Sequence, residues 1–253
     1  MGVASIVGCI DPVKLSRRVE AEVTRETARG LARRYWRFRS SRHYGGNNAG
    51  DVVGCNLRCA FCWAWRYAFK TKAGFLLDPI EAARRLVAAG PYRLVRLTGG
   101  EPTIGWSHTR RVIELATSRG RFFVLETNGV LIGAGLIEAR DLPRGNVFIR
   151  VSLKAPDPEV FERVTGACRW GFDLQLKSLE RLLEWGFVPG RDFRASLVMG
   201  LVEASRYRYI LSRLEAIHPR LVEELEPEYI VLYPHVKELL DKRGFRPYQA
   251  VEP

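Results

Sequence analysis

The chain has no apolar run approaching the roughly 20 residues that a helix needs to cross a bilayer. One of its longer ones, Val147 to Val151, is already broken by Arg150. No membrane span and no membrane partner are expected. Low-complexity and disorder-prone stretches are missing too. With 47% hydrophobic and 27% charged residues, a chain of 253 residues suits one large globular domain, or one domain plus a small extension. Met1 to Ile10 is mildly apolar, but it lacks a basic start and a small-residue cleavage site and runs straight into Asp11. No signal peptide is expected there, and the location is read as cytoplasmic. Methionine and glutamine occur twice each, and together with the charge-rich helical segments this is compatible with a thermophilic source.

Cysteine is scarce and odd in number. Of five, Cys55, Cys59 and Cys62 fall within eight residues, which suits a metal better than a disulfide framework and points to a reducing compartment. The remaining two, Cys9 and Cys168, read as buried small hydrophobes. What the chain has in excess is positive charge, a formal +12, mostly as arginine. Phosphate-bearing or acidic partners therefore come into consideration. Half of the surplus lies in the first 42 residues, where ten Lys/Arg face four Asp/Glu.

Leu15, Val19, Val23, Thr27, Leu31 and Tyr35 recur every four residues. This spacing predicts one amphipathic helix from about Pro12 to Phe38 with a basic outer face. Ser40 to Gly50, rich in glycine and asparagine, reads as a flexible connection. The chain thus divides into a basic N-terminal helical extension (1–48) and a core (49–253). In the core, β-rich runs alternate with helical patterns, which argues for βα units and a parallel sheet. Six strand candidates stand out: Asp51–Gly54, Arg93–Thr98, Phe122–Thr127, Val147–Leu153, Phe193–Met199 and Tyr229–Leu232. Six is too few for the usual eight-stranded closure, but in an open or a closed sheet the working residues belong at the strands' C-terminal ends.

Cys55-Asn56-Leu57-Arg58-Cys59-Ala60-Phe61-Cys62 directly follows the first strand candidate. Three thiolates on one tight loop can hold three corners of a [4Fe-4S] cluster and leave one iron open. The alternative, a structural zinc site, asks for four closed ligands, so the spacing favours the cluster.

At these residues the sequence resembles the radical S-adenosylmethionine (SAM) enzymes, whose signature is CxxxCxΦC with an aromatic residue, here Phe61, before the last cysteine. Gly99-Gly100-Glu101, at the end of the second strand, resembles the family's GGE motif, which receives the amino group of SAM. Glu126-Thr127-Asn128-Gly129 and Ser152-Leu153-Lys154 resemble the DTNG and DxK segments of glycyl-radical-enzyme activases, with Glu126 and Ser152 standing where those carry aspartate. By that resemblance Thr127, Asn128, Ser152 and Lys154 are candidate SAM contacts. Asp157-Pro158-Glu159 with Thr165-Gly166 continues the likeness, and reads equally well as a capped helix start followed by a turn. Tyr233-Pro234-His235 is similar to the activases' closing segment, so His235 is a candidate contact to the adenosyl group.

The resemblance covers roughly residues 51–240. It implies an α/β fold, a partial (β/α)6 TIM-type barrel, with one [4Fe-4S] cluster on Cys55, Cys59 and Cys62 and SAM as second cofactor. It implies iron–sulfur radical chemistry: reductive cleavage of SAM to a 5′-deoxyadenosyl radical that takes hydrogen from a substrate. A low-potential electron donor such as a ferredoxin or flavodoxin is the implied partner. The substrate stays open between a glycine in a partner enzyme, a nucleotide in RNA bound by the basic N-terminal segment, and a small metabolite or peptide. A reading from another class, a non-catalytic iron–sulfur module, predicts metal content without SAM affinity.

Overall fold

Asp11 caps the first helix by accepting hydrogen bonds from the backbone of Val13 and Lys14, and Pro12 occupies its first turn, where a missing N–H costs nothing. The computed structural model describes residues 8–253. Helix α1 (Pro12–Val23) leads into the hairpin β1 (Thr24–Thr27) and β2 (Gly30–Ser41). Strand β3 (Asn47–Val52) follows, then a loop, the short helix α2 (Trp65–Phe69) and β4 (Phe75–Leu77). From there the order is α3 (Pro79–Ala88), β5 (Leu94–Thr98), α4 (Trp106–Thr117), β6 (Phe122–Thr127), α5 (Val130–Gly133) and β7 (Val147–Leu153). The chain ends with α6 (Pro158–Thr165), α7 (Trp170–Glu184), β8 (Phe193–Met199), α8 (Arg208–Ile217), α9 (Arg220–Glu223), β9 (Glu226–Tyr229) and α10 (Pro234–Lys242).

Strands β3, β5, β6, β7, β8 and β9 pair in that order, all parallel. These are the six strands of a partial (β/α)6 barrel. The sheet continues past β3 through antiparallel β2 to β1, with β4 also on β2, and it does not close onto β9 among the described residues. Odd-numbered positions of the middle strands, such as Val95, Leu97, Phe123, Leu125, Ile149 and Val151, are buried in one core cluster with Leu86, Val112, Ile113, Leu176 and Leu179 of the helices. The even-numbered positions face the other way, as the two-residue period of a strand requires, and they carry Arg96, Glu126, Arg150 and Ser152.

The predicted long N-terminal helix stops at Val23. A four-residue spacing lies close to the helical period but is also a multiple of the strand period of two, so Thr27, Leu31 and Tyr35 satisfy a strand equally well. The Ala28-Arg29 turn with Gly30 at φ +100° decides for a hairpin. The predicted flexible connection is likewise ordered from Asn47 to Val52, as a fully buried strand. Leu97 and Phe38 pack closely over Gly50, where a Cβ would lie 2.9 Å from Leu97 Cδ2 and 3.0 Å from Phe38 Cε1. The division at 48/49 therefore falls inside β3, and β1 and β2 belong to the same sheet as the core. The last strand begins at Glu226, three residues before the predicted start, and carries two inward carboxylates.

Cys9 and Cys168 are joined in a disulfide with a Cα–Cα separation of 4.7 Å. This corrects their reading as isolated buried hydrophobes: Cys9 is exposed, and the segment 9–10 lies along the end of α6 through Ile10 N–H to Gly166 O (2.9 Å) and Cys168 N–H to Ile10 O (2.8 Å). Disulfides are unusual in reducing compartments, with hyperthermophiles as an exception. No helix of the described residues is long and apolar enough to cross a membrane.

Candidate active site at the strand C-termini

The loop after β3 is tied down before it can carry chemistry. Arg58 N–H donates to Thr165 O at 3.0 Å and Ala60 N–H to Val164 O at 2.8 Å, so the C-terminal carbonyls of α6 brace the middle of the cysteine loop. The segment Asp157–Gly166 is accordingly a capped helix: Asp157 accepts from Val160 N–H, and Gly166 ends the helix with φ +71°. Arg58 closes on its own loop, donating to Cys55 O (2.6 Å) and Leu57 O (3.0 Å). Cys55, Cys59 and Cys62 are the unpaired cysteines of the described residues. Burial pushes all three thiols up, Cys62 to about 12, so metal loading must displace protons that a buried thiol otherwise keeps. Phe61, half-buried, packs against the core beside them.

Asn56, fully buried between Cys55 and Leu57, accepts from Asn128 Nδ2 at 2.7 Å. Its own Nδ2 has no partner. Gly99 has φ +90°, and Gly100 packs so closely under the loop that a Cβ would sit 2.2 Å from Gly54 O. Glu101 N–H donates to that same carbonyl at 2.8 Å. The Glu101 carboxylate is 2% exposed and accepts from Thr103 N–H (3.1 Å), Thr103 Oγ1 (2.6 Å), Thr127 Oγ1 (2.7 Å) and Asn128 N–H (2.8 Å). The ends of β3, β5 and β6 are thus knitted together by Asn56, Gly100, Glu101, Thr127 and Asn128. The donor set and the glycine-lined approach fit a cluster with one thiolate per iron at three corners. Among the described residues, no three of His, Cys, Asp or Glu group as ligands of a single ion.

Ser152 and Lys154 stand apart from that knot. Lys154 Nζ donates to Ser152 Oγ (2.5 Å), Ser152 Oγ donates to Glu228 Oε2 (2.6 Å), and Lys154 Nζ lies 3.8 Å from the same carboxylate. Burial alone would raise Glu228, but Lys154, Arg150 and the hydroxyls of Ser152 and Ser196 hold it down to about 2. His235 reaches back across the open side, with Nε2 2.9 Å from Trp63 O and its ring stacked on Tyr233.

Three residues that support this arrangement escaped the sequence. Arg33, fully buried on β2, donates to Glu101 O (2.7 Å), Pro102 O (3.2 Å) and Val53 O (3.4 Å). Burial lowers it to about 10. Reading this stretch as a helix put Arg33 on a solvated face. Gln175 on α7 donates to Asn128 O (2.6 Å) and Ser152 O (3.0 Å) and accepts from Lys154 N–H (3.1 Å), tying β6 to β7. Glu228 carried a visible signal, the alternation Glu226-Pro227-Glu228.

The barrel interior is charged rather than apolar. Register sets Arg37 opposite Asp51 and Asp51 opposite Thr98, and further along the sheet Glu126 opposite Arg150 and Ser152 opposite Ser196. Arg96 pairs with Glu126 (2.6 Å) and Arg150 with Glu226 (2.9 Å). Burial would raise Glu126, but Arg96 and Arg150 overcome it and keep the carboxyl low.

A sequence profile of the Radical SAM superfamily matches residues 51–202. The mitochondrial GTP 3′,8-cyclase of Arabidopsis thaliana is 30% identical over 178 residues, 67% of this chain and 43% of that protein. The 7-carboxy-7-deazaguanine synthase of Hyperthermus butylicus is 38% identical over 116 residues, 46% of this chain and 45% of that protein. The chain thus spans under half the length of both curated relatives. A radical SAM methyltransferase from Sphaerobacter thermophilus superposes with a TM-score of 0.53 at 14% identity, covering 90% of this chain and 75% of that one. Streptococcus suis SuiB bound to S-adenosylmethionine gives 0.51 at 18% identity, covering 65% of this chain and 36% of that one. At such identities these two comparisons speak for the fold alone.

Proposed function

The chain belongs to the radical SAM superfamily, and on that premise we propose that it cleaves SAM reductively and uses the resulting radical to take hydrogen from a small anionic substrate carrying a purine-like ring. Family membership makes it an enzyme that uses a [4Fe-4S] cluster and SAM and needs a reductant. Held by Cys55, Cys59 and Cys62, a [4Fe-4S] cluster would supply the single electron for reductive cleavage of the sulfonium C–S bond of SAM. The observation that carries the reading is the convergence of three free cysteines with Gly99-Gly100-Glu101 and Thr127-Asn128 at adjoining strand ends.

The chain's own residues have separate tasks. Cys55, Cys59 and Cys62 hold the cluster. Gly99 and Gly100 let backbone approach the methionyl end of SAM without side-chain obstruction. Glu101, fixed by Thr103, Thr127 and Asn128, holds that backbone and lends it negative charge towards an ammonium group. Lys154 and Ser152 offer a cation and a hydroxyl at the next strand end, suited to a carboxylate and a ribose. His235, carried on the closing segment, meets the Trp63 carbonyl and narrows access to water. The substrate class rests on two supports: the charged interior, which suits a polar ligand, and relatives named for GTP and for a deazaguanine. A ferredoxin or flavodoxin is the proposed donor.

The test is anaerobic reconstitution with iron and sulfide, reduction in the presence of SAM, and an assay for 5′-deoxyadenosine in wild type and Cys59→Ala. Product in wild type alone supports the reading. A full, reducible cluster that neither binds SAM nor forms product overturns it and leaves a non-catalytic iron–sulfur module.

A further inference from the structure

We propose that Arg37, Arg39 and Trp63 form the substrate's recognition site, in which the two guanidinium groups take the phosphates of a nucleoside triphosphate and the indole of Trp63 stacks on its base. The inference rests on the radical reading above and deepens it by placing the substrate.

Charge on the inner face of the sheet is balanced except at one place. Arg96, Arg150 and Lys154 each face a carboxylate, namely Glu126, Glu226 and Glu228. Arg37 and Arg39 share one, Asp51, through Arg37 Nε at 2.5 Å and Arg39 Nε at 3.0 Å. Asp51 is completely buried, whereas the Arg37 and Arg39 side chains are 41% and 25% exposed. One formal positive charge is therefore left over at the mouth. Because Asp51 engages Arg37 through Nε, the terminal nitrogens of Arg37 make no hydrogen bond to the protein among the described residues. A guanidinium oriented at its neck and open at its fork is prepared for bidentate contact with phosphate oxygens.

The aromatic half is equally uneven. Trp36 is committed: it stacks on Tyr67 with centroids 4.0 Å apart, and Arg37 lies 3.9 Å from its ring. Trp63 is 40% exposed, with Arg37 and Arg39 at 5.9 and 5.7 Å from its centroid. Its carbonyl is held by His235, so Trp63 is anchored at its backbone while its side chain stays exposed. A ring beside two arginines is the combination that binds a base and its phosphates together.

The location is chemically pertinent. Trp63 follows the third cysteine of the cluster loop. A Cβ on Gly99 would lie 3.2 Å from Asp51 Cβ and 3.3 Å from Trp36 Nε1, a buried donor without a partner. The site thus adjoins both the cysteine loop and the glycine segment, the residues assigned above to the cluster and to SAM. Hairpin β1–β2, which lies outside the six parallel strands, supplies both arginines.

The experiment is calorimetric titration of the anaerobically reconstituted protein, with SAM bound, using GTP, GMP, guanosine and inorganic triphosphate. Affinity should fall from GTP to GMP to guanosine and weaken with salt, and inorganic triphosphate should compete with GTP. Arg37→Ala and Arg39→Ala should each weaken GTP roughly tenfold to a hundredfold, the range for losing a charge-assisted hydrogen bond, with Arg37→Lys recovering part of the loss. Trp63→Ala should weaken GTP and guanosine alike, and Trp63→Phe should restore both. Equal affinity for GTP and guanosine, or variants that lower thermal stability while GTP binding stays intact, would reduce the cluster to a cross-strand ion network and overturn the proposal. 5′-Deoxyadenosine production by wild type, measured in parallel, separates the two readings: product without nucleotide binding sinks only the recognition site, and a full, reducible cluster with neither SAM binding nor product sinks the radical reading itself.

Discussion

Asn128 Nδ2 donates to Asn56 Oδ1 at 2.7 Å, across 72 positions of sequence. One partner sits inside the cysteine loop and the other at the end of β6, so this bond sets where the loop stands relative to Glu101 and Thr127. Asn128→Ala leaves a buried acceptor without a donor, a cost of about 1–3 kcal/mol. Urea unfolding should register that loss, and iron content after reconstitution should fall below that of wild type while the far-ultraviolet circular dichroism is retained.

Arg33 is a positioning residue of the same region. Its guanidinium satisfies three buried carbonyls on two segments, so Arg33→Met should destabilise the protein by roughly 2–5 kcal/mol through orphaned acceptors. Arg33→Lys should recover only part of this, because an ammonium cannot span the three acceptors as a planar fork does. A thermal melt of the three proteins checks the order. Equal melting temperatures would show that water replaces the side chain.

His108 should make the fold acid-sensitive. Nδ1 lies 2.7 Å from Leu31 O, which can only accept, so Nδ1 carries the proton and Nε2 accepts from the Tyr35 hydroxyl at 2.8 Å. The ring is fully buried, and burial lowers it to about 4 from 6.5. Because the unfolded state takes up a proton first, stability is full above about pH 6.5 and declines as pH falls towards 4, by about 3 kcal/mol in all. Denaturant melts from pH 7 to 4 should show this decline, and His108→Gln should flatten that part of the profile.

The disulfide closes a loop with a sequence separation of 159 residues. Loop-closure entropy for that length is worth about 5 kcal/mol at most. Cys9→Ser should lower the melting temperature, and a thiol reductant should lower that of wild type but not of the variant. A wild-type melt indifferent to reductant, with two reactive thiols beyond the three of the cysteine loop, would show the bridge does not form in solution.

Much of the site was legible in local sequence because its chemistry is local. Cys55, Cys59 and Cys62 share one loop, and Gly99-Gly100-Glu101 is one turn after β5, whose apolar run Leu94 to Thr98 announces itself. β6, β7 and β8 begin and end where their residue patterns predict. β3 was hidden because Asn47, Asn48 and Gly50 look like a connection, and only the packing of Leu97 and Phe38 against Gly50 makes them a central strand. The hairpin was hidden because a four-residue spacing serves two periodicities at once.

By itself, then, the sequence determined the cofactor loop, the parallel βα rhythm and the strand ends where chemistry belongs, since each depends on residues adjacent in the chain. Tertiary structure decided what those ends become. It alone brought Asn56 to Asn128, buried Arg33 behind Glu101, turned Arg37 and Arg39 onto Asp51 and paired Cys9 with Cys168. Such contacts join segments far apart in sequence, and no local pattern records them, because their energy comes from satisfying buried polar groups that are exposed to water until the chain folds.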